Sequence, residues 1–238
     1  MRRVLLVGGT DSSGGAGLAR DVATVTGMAA HPCIAVTAVT AQDDAGVQAV
    51  HPVPPDVVAA QIRAAGRVDA IKLGMLVNAD TIGAVAAALP RAPLVIDPVL
   101  RSSSGAALLD DAGLGALLSL LVPRATVLTP NLPELAAIAD RDGAPDHSAA
   151  RRALFARGCK ALLVKGGHAP DRDFCEDRLY LPDGTMRRFR GPRLAGTLRG
   201  TGCQLGSALA VALAGGAALP DAVARARDGV ARRFATQA

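Results

Sequence analysis

The sequence predicts an α/β fold: a mostly parallel central sheet with helices on both faces and a late antiparallel hairpin at one edge. Three observations predict it. Short, wholly apolar runs such as Val4-Leu5-Leu6-Val7 and Leu94-Val95-Ile96 have the pattern of strands buried on both faces. These runs alternate with stretches of helical periodicity, as strand–helix–strand crossovers do. Late in the chain the pattern changes to two runs flanking Asp183-Gly184, a hairpin signal. At 238 residues, one domain covering 1–238 is the simplest organisation. No linker, short repeat or low-complexity segment divides it.

Taken in order, the first strand covers residues 4–7 and stops at Gly8-Gly9. A loop from Gly9 to Gly17 leads into a helix reaching about residue 28. Residues 34–39 form a second strand that runs into Thr40-Ala41-Gln42-Asp43. Pro54-Pro55-Asp56 opens a helix through about residue 65. Residues 70–76 read as a strand, after which Asn78 or Asp80 caps a helix to Leu89. Residues 94–99 are the clearest buried strand and end in the carboxylate of Asp97. Residues 114–121 read helical, 125–129 as a strand, 132–139 as a short helix and 148–157 as another. The strand 161–165 follows, with the turn Gly166-Gly167-His168. After the hairpin over 178–189, a helix starts at Cys203 and a last one spans about 221–234.

Composition excludes several classes. The net charge is +5, but arginines are scattered among acids rather than massed, and the chain has no Trp, one Tyr and four Phe. With so few rings to stack on bases, nucleic-acid binding is unsupported. Cys33, Cys159, Cys175 and Cys203 are widely spaced and form no Cys-x-x-Cys pair, as expected of reduced thiols. The apolar run at residues 4–7 is too short for a secretory signal, and no apolar stretch is long enough for a membrane span. A cytoplasmic protein is expected. The four histidines show neither metal spacing nor a hydrolase arrangement.

Polar and glycine residues gather just after the strands: Asp11, Gln42, Met75, Asp97, Asn131 and Lys165-Gly166-Gly167. In open α/β sheets that carboxyl edge is where ligands bind. The loop after the first strand lacks the Gly-Lys-Ser/Thr of a P-loop and does not fit Gly-x-Gly-x-x-Gly, because position 20 is Arg. Asn131 and Glu134, three apart at a helix start, face one side, where they suit magnesium and nucleotide phosphates or, alternatively, simply cap the helix. Lys165 ends a strand, so it either meets a phosphate or sits at a solvated strand end.

The rest of the chain is organised around Gly200-Thr201-Gly202-Cys203. Leu205, Leu209, Ala212 and Leu213 recur at helical spacing behind it, and Gly215-Gly216 supplies the stop. A helix start exposes unpaired N–H groups and a positive dipole end, which suits an anion such as phosphate. Cys203 sits at that end, where a thiol is expected to ionise more easily. The alternative is a glycine turn before a core helix with an inert cysteine.

Seven stretches in this order carry a family pattern: residues 9–17, 37–42, 68–76, Ile96-Asp97-Pro98-Val99, Thr129-Pro130-Asn131-Leu132-Pro133-Glu134, Val164-Lys165-Gly166-Gly167-His168 and Gly200-Thr201-Gly202-Cys203. The chain resembles the hydroxymethylpyrimidine/phosphomethylpyrimidine kinases of thiamine biosynthesis, in the ribokinase-like superfamily, along almost its whole length. The resemblance implies a ribokinase-like three-layer α/β/α sandwich and a homodimer. It also implies two successive phosphorylations of 4-amino-5-hydroxymethyl-2-methylpyrimidine by ATP and Mg2+, giving the monophosphate and then the diphosphate. By that likeness Gln42 recognises the pyrimidine, and Gly9, Asp21, Met75 and Val99 form its pocket. Asn131, Glu134, Lys165 and Gly167 serve the nucleotide, with Asp97 and Glu134 at the metal. Gly200, Thr201 and Gly202 form the anion hole, and Cys203 takes the catalytic-base position.

The chain departs from the family pattern at three places. Leu198-Arg199 stands where Thr-His is usual, Ala19-Arg20-Asp21 stands for Gln-Ala-Asp, and Arg101-Ser102-Ser103-Ser104-Gly105 follows Asp-Pro-Val-Leu. One expectation is that Arg199 supplies a guanidinium to a phosphate; the alternative is an arginine on a solvated loop. Two other functions remain open: a pyridoxal or pyridoxine kinase, and a degenerate kinase fold that binds a pyrimidine or nucleotide without transfer.

Overall fold

The structure is a computed structural model that describes residues 1–43, 45–102, 104–169, 171 and 173–237. The strands are β1 (Arg3–Gly9), β2 (His31–Gln42), β3 (Val47–Pro52), β4 (Ala70–Leu73), β5 (Leu94–Ile96), β6 (Val127–Leu128), β7 (Leu162–Val164), β8 (Phe174–Tyr180) and β9 (Met186–Pro192). They form one sheet in the order β3-β2-β1-β4-β5-β6-β7-β8-β9. The run from β2 to β7 is parallel, with β1 registered against β2 through Leu5↔Cys33 and against β4 through Leu5↔Ile71. β8 and β9 add antiparallel strands at one edge, as the Asp183-Gly184 signal predicts. The chain leaves β1 in one direction for β2 and later crosses to its other side for β4. That is the reversal at which α/β sheets open a binding crevice.

The helices are α1 (Gly17–Gly27), α2 (Pro55–Ala64), α3 (Ala79–Ala88), α4 (Asp111–Ala116), α5 (Leu132–Arg141), α6 (His147–Ala156), α7 (Thr201–Ala214) and α8 (Leu219–Gln237). Side chains alternate along β1 and feed two cores. Leu5 and Val7 join Val58, Ile62, Ile82, Leu135 and Leu154 from the layer of α2 to α6. Val4 and Leu6 join Leu18, Val25, Leu205, Leu209 and Val223 from the layer of α1, α7 and α8. The period-2 alternation of strands, buried on both faces, produces the three layers. Of the two caps expected for α3, Asn78 is the one used: its side chain accepts from the Thr81 amide.

Two expectations differ. Residues 47–52, not predicted as a strand, form β3 antiparallel to β2. Its residues are all partly or fully exposed, so burial leaves no periodic mark on it. Residues 114–121 do not form one regular helix. α4 ends at Ala116, a π-helical turn covers Leu117–Leu121, and a 3-10 turn at Val122–Arg124 contains Pro123, which cannot donate the next α-helical bond.

Candidate functional site

The carboxyl ends of β1, β4, β5, β6 and β7 converge beneath the start of α7, which packs across β1, β4 and β5. Gly200 is the N-cap at φ +71°, and a methyl there would lie 2.5 Å from the Gly15 carbonyl oxygen. Only glycine combines that backbone angle with that approach. The turn therefore sits directly on the β1–α1 loop. The first amides of α7, at Thr201, Gly202 and Cys203, have no intrahelical acceptor by the geometry of any helix start. A methyl on Gly202 would stand 3.4 Å from Asp97 Oδ2 and 3.6 Å from Lys165 Nζ. The turn and the charged sheet edge thus share one space.

That edge is a compact charge cluster. Asp97, 3% exposed just after β5, accepts from Lys165 Nζ at 2.6 Å and from Thr129 Oγ1 at 3.3 Å. Lys165 also lies 3.7 Å from Glu134 Oε2. Asn131 and Glu134 form a full capping box on α5: Asn131 Oδ1 accepts from the Glu134 amide at 2.8 Å, and Glu134 Oε2 accepts from the Asn131 amide at 2.7 Å. The capping alternative is therefore realised, and realised beside Lys165, so capping and site placement coincide. Burial pushes the Glu134 carboxyl up to about 7; Lys165 opposes the shift and Asp97 adds to it. Burial works against the Lys165 charge, but Asp97 and Glu134 outweigh it and hold the ammonium above its usual range. Lys165 is thus not at a solvated strand end.

The donor set fits magnesium brought in by a nucleotide. Asp97 and Glu134 offer hard carboxylate oxygens, and Mg2+ characteristically takes one or two carboxylates with phosphates and water. Among the described residues no group of three His, Cys, Asp or Glu could hold a metal alone.

Beneath α7 lies a second charged group, which sequence reasoning missed. Lys72 Nζ and Asp21 Oδ2 are 2.8 Å apart with both side chains 1% exposed. Ser207 Oγ donates to Asp21 Oδ1 at 2.8 Å. Gly74 and Gly206 make room for the lysine, since methyl groups there would lie 2.8 Å from its Nζ and 3.4 Å from its Cε. Burial disfavours the Lys72 charge, yet the carboxylate of Asp21 leads the groups that keep it above the normal lysine range. The one available signal was a lysine inside an apolar strand. Asp21, expected to help form the pyrimidine pocket, bonds Lys72 and Ser207 through its carboxylate in the floor under the turn.

Cys203 also differs from expectation. The residue is half-buried, and its thiol, turned inward, is pushed up to about 11, mainly by burial and further by Asp21 and Asp97; Lys72 and the Gly17 amide pull the other way. Desolvation beside carboxylates outweighs the helix start, so the resting group is a thiol.

The remaining expected residues end or follow several strands of the sheet. Gly9 is buried against Met75, whose sulfur would be 2.8 Å from a methyl at that glycine, and the Met75 carbonyl accepts from Thr37 Oγ1 at 2.7 Å. Gln42 ends β2, and its amide and carbonyl both bond Ser12 Oγ at 2.7 Å. Val99 is half-buried just beyond Asp97. Gly166 donates its amide to Asp177 Oδ1 at 2.7 Å, and the Gly167 carbonyl accepts from Arg193 Nη1 at 2.8 Å. Arg199 is not on a solvated loop: its Nη2 lies 2.9 Å from Asp11 Oδ2 and its Nη1 donates to Ser13 Oγ at 2.8 Å. In the third departing stretch Arg101 Nη1 donates to the Gly105 carbonyl at 3.1 Å, and Ser103 lies outside the described residues. A cavity of about 310 Å³ opens on the other helical layer, lined by Leu135, Arg151, Tyr180 and Arg188 among others, and meets the carboxyl edge at Gly166. No described helix is long and apolar enough to cross a membrane.

The family model for phosphomethylpyrimidine kinase matches residues 11–238. The hydroxymethylpyrimidine/phosphomethylpyrimidine kinase of Mycobacterium tuberculosis is 44% identical over 232 residues, covering 93% of this chain and 84% of its own. The Escherichia coli protein of the same name is 40% identical over 222 residues, covering 88% and 83%. Among solved structures, pyridoxal kinase from Staphylococcus aureus bound to pyridoxal superposes with a TM-score of 0.85 at 30% identity, covering 97% of this chain and 87% of that one. Phosphomethylpyrimidine kinase from Clostridium difficile gives 0.82 at 28% identity, covering 98% and 100%.

Proposed function

The chain belongs to the phosphomethylpyrimidine kinase family, and from that premise we propose that it phosphorylates 4-amino-5-hydroxymethyl-2-methylpyrimidine and then its monophosphate, with ATP as donor, in thiamine diphosphate biosynthesis. The observation that carries the proposal is the placement of Gly202, where an added methyl would lie 3.4 Å from Asp97 Oδ2 and 3.6 Å from Lys165 Nζ. A phosphoryl group in transit would meet the free amides of α7 on one side and the Lys165 ammonium on the other. Phosphoryl transfer needs in-line placement and neutralised charge more than covalent chemistry. Preorganised N–H groups at the helix start stabilise the three equatorial oxygens without reorganising.

The roles divide by position. Thr201, Gly202 and Cys203 present amides to the migrating group, and Gly200 holds the turn. Lys165 and the α5 start at Asn131 and Glu134 serve the nucleotide phosphates, with Gly167 beside them. Asp97 and Glu134 would hold Mg2+, which would supply positive charge to neutralise the nucleotide phosphates. Gln42, Gly9, Met75 and Val99 surround the pyrimidine. Cys203 stands beside the acceptor hydroxyl as the group that takes its proton. Its resting thiol at about 11 keeps the thiolate fraction small near neutrality. The alcohol step needs that thiolate; a monophosphate acceptor already carries its charge. A homodimer and a cytoplasmic location complete the reading, and sedimentation tests the former.

The decisive experiment measures ATP turnover with the pyrimidine alcohol, its monophosphate and pyridoxal as acceptors, with product masses. The reading requires both pyrimidine phosphates as products. Preferred phosphorylation of pyridoxal, which the pyridoxal kinase neighbours make the natural competitor, would replace it. Binding without any turnover would make the protein a sensor.

A further inference from the structure

We propose that Arg199 is a positioning residue for phosphoryl transfer, a strap that fixes the β1–α1 loop against the anion-hole turn and so sets the distance between acceptor and phosphoryl sites; this rests on the kinase reading above. Asp11 is 6% exposed, and among the described residues its carboxylate has four donors: the Ser13 amide at 2.9 Å and Ser13 Oγ at 2.8 Å on Oδ1, and the Ala16 amide at 2.8 Å with Arg199 Nη2 at 2.9 Å on Oδ2. A buried carboxylate is stable only when its oxygens are satisfied, and Arg199 is the cation that faces it. The second arm of the guanidinium reaches Ser13 Oγ. The fork therefore grips the loop at two points, which a lysine ammonium does less rigidly.

The other end of Arg199 is equally anchored. Its carbonyl accepts from Arg233 Nη2 of α8 at 2.8 Å, and Arg233 Nη1 donates to Gln204 Oε1 in the first turn of α7 at 3.2 Å. The next residue, Gly200, lies so close to the Gly15 carbonyl that a methyl there would stand 2.5 Å from it. On its far side the same loop bonds the acceptor wall: Ser12 Oγ pairs with the Gln42 backbone, and Thr40 Oγ1 donates to the Thr10 carbonyl at 2.7 Å. One continuous chain of contacts thus runs from α8 through Arg199 and the β1–α1 loop to Gln42. Among the described contacts the guanidinium binds Asp11 and Ser13, so it acts through the loop.

The test is steady-state kinetics of Arg199→Ala on the pyrimidine alcohol and the monophosphate. A displacement near 1 Å in a transfer site costs about 100-fold, so kcat should fall about 10- to 100-fold on both acceptors while each KM moves less than about threefold. Arg199→Lys should recover part of the loss, and Arg199→Ala/Asp11→Asn should be no slower than the worse single variant. A KM for the monophosphate that rises about tenfold or more with kcat intact would make Arg199 a direct phosphate ligand and overturn the proposal. Unchanged kinetics would overturn it too. Independently of turnover, backbone amide exchange at Ser13 and Ala16 should quicken in Arg199→Ala, and unchanged exchange refutes the strap. If the unsubstituted protein phosphorylates neither pyrimidine, the kinase reading fails while amide exchange still judges the strap. Should Arg199→Ala not fold, Ser13→Ala, which removes one arm of the grip together with the Ser13 hydroxyl bond to Asp11 but leaves the Arg199–Asp11 pair, is expected to show the same kcat loss in weaker form, and normal kcat there would refute it.

Discussion

Replacing Lys72 by Met asks how much the charged floor under α7 contributes. The ammonium is removed while Asp21, 1% exposed, keeps its carboxylate with only the Ser207 hydroxyl as a donor among the described contacts. Breaking a buried pair by deleting one partner costs about 3–5 kcal/mol, because the surviving charge is left uncompensated. A domain has a total stability of about 5–15 kcal/mol, so the loss is a large share of it. At about 2–4 °C per kcal/mol for a chain this long, the melting temperature should fall by about 6–20 °C. Urea unfolding followed by far-UV circular dichroism measures the loss directly. The sign with pH follows from burial, the largest influence on Asp21, which raises its carboxyl. Without Lys72 the native state of the variant binds a proton more readily than the unfolded chain does. Its stability relative to the parent should therefore decline as pH rises above the ordinary carboxylate range. The double variant Lys72→Met/Asp21→Asn, with no charge left to strand, should recover most of the deficit. A single-variant loss under about 1 kcal/mol, or losses that simply add in the double variant, would refute the argument.

Cys203→Ala should slow phosphorylation of the alcohol more than that of the monophosphate, by about 10-fold or more in the ratio of the two kcat values; equal losses in separate assays would remove the base role. Alkylation of Cys203 by iodoacetamide, followed by mass spectrometry with EDTA present, should stay slow near neutrality and climb as pH approaches the thiol value of about 11; a midpoint below about 8.5, the free-cysteine value, would contradict the burial argument. Gly166→Ala should destabilise the protein by about 1–3 kcal/mol and raise the KM for ATP, because a methyl there would overlap the Glu176 backbone carbonyl; normal stability in urea would show that the neighbouring strand yields. EDTA should abolish turnover while leaving the melting temperature unchanged, since among the described residues no metal cluster supports the fold; a lowered melting temperature would reveal a structural ion.

Much of the site could be read from the chain because its parts are local. Asn131 and Glu134 are three residues apart, and the glycines of the turn adjoin the helix they open, so spacing alone places them. Asp97 and Lys165 each end a buried apolar run, which puts them at the carboxyl edge before any coordinate is known. The strands buried on both faces declared themselves for the same reason, whereas β3, exposed throughout, had no periodicity to show.

What the amino-acid order could not carry was the state of the charges. Asp21 and Ser207 lie 186 positions apart, Asp11 and Arg199 lie 188 apart, and nothing local links either pair. A lysine inside β4 is tolerable only because Gly74 and Gly206 leave space for it and Asp21 supplies its counter-charge. The thiol of Cys203 looked easy to ionise from its place at a helix start, and tertiary burial beside two carboxylates reversed that. Arg199 looked available to a phosphate until folding set Asp11 against it. Sequence by itself determined the strand–helix alternation, the anion-binding turn and the family, because those depend on neighbours a few residues apart. Protonation and ion pairing were decided only by the tertiary structure, because desolvation and Coulomb energies depend on distances in space and not on separations along the chain.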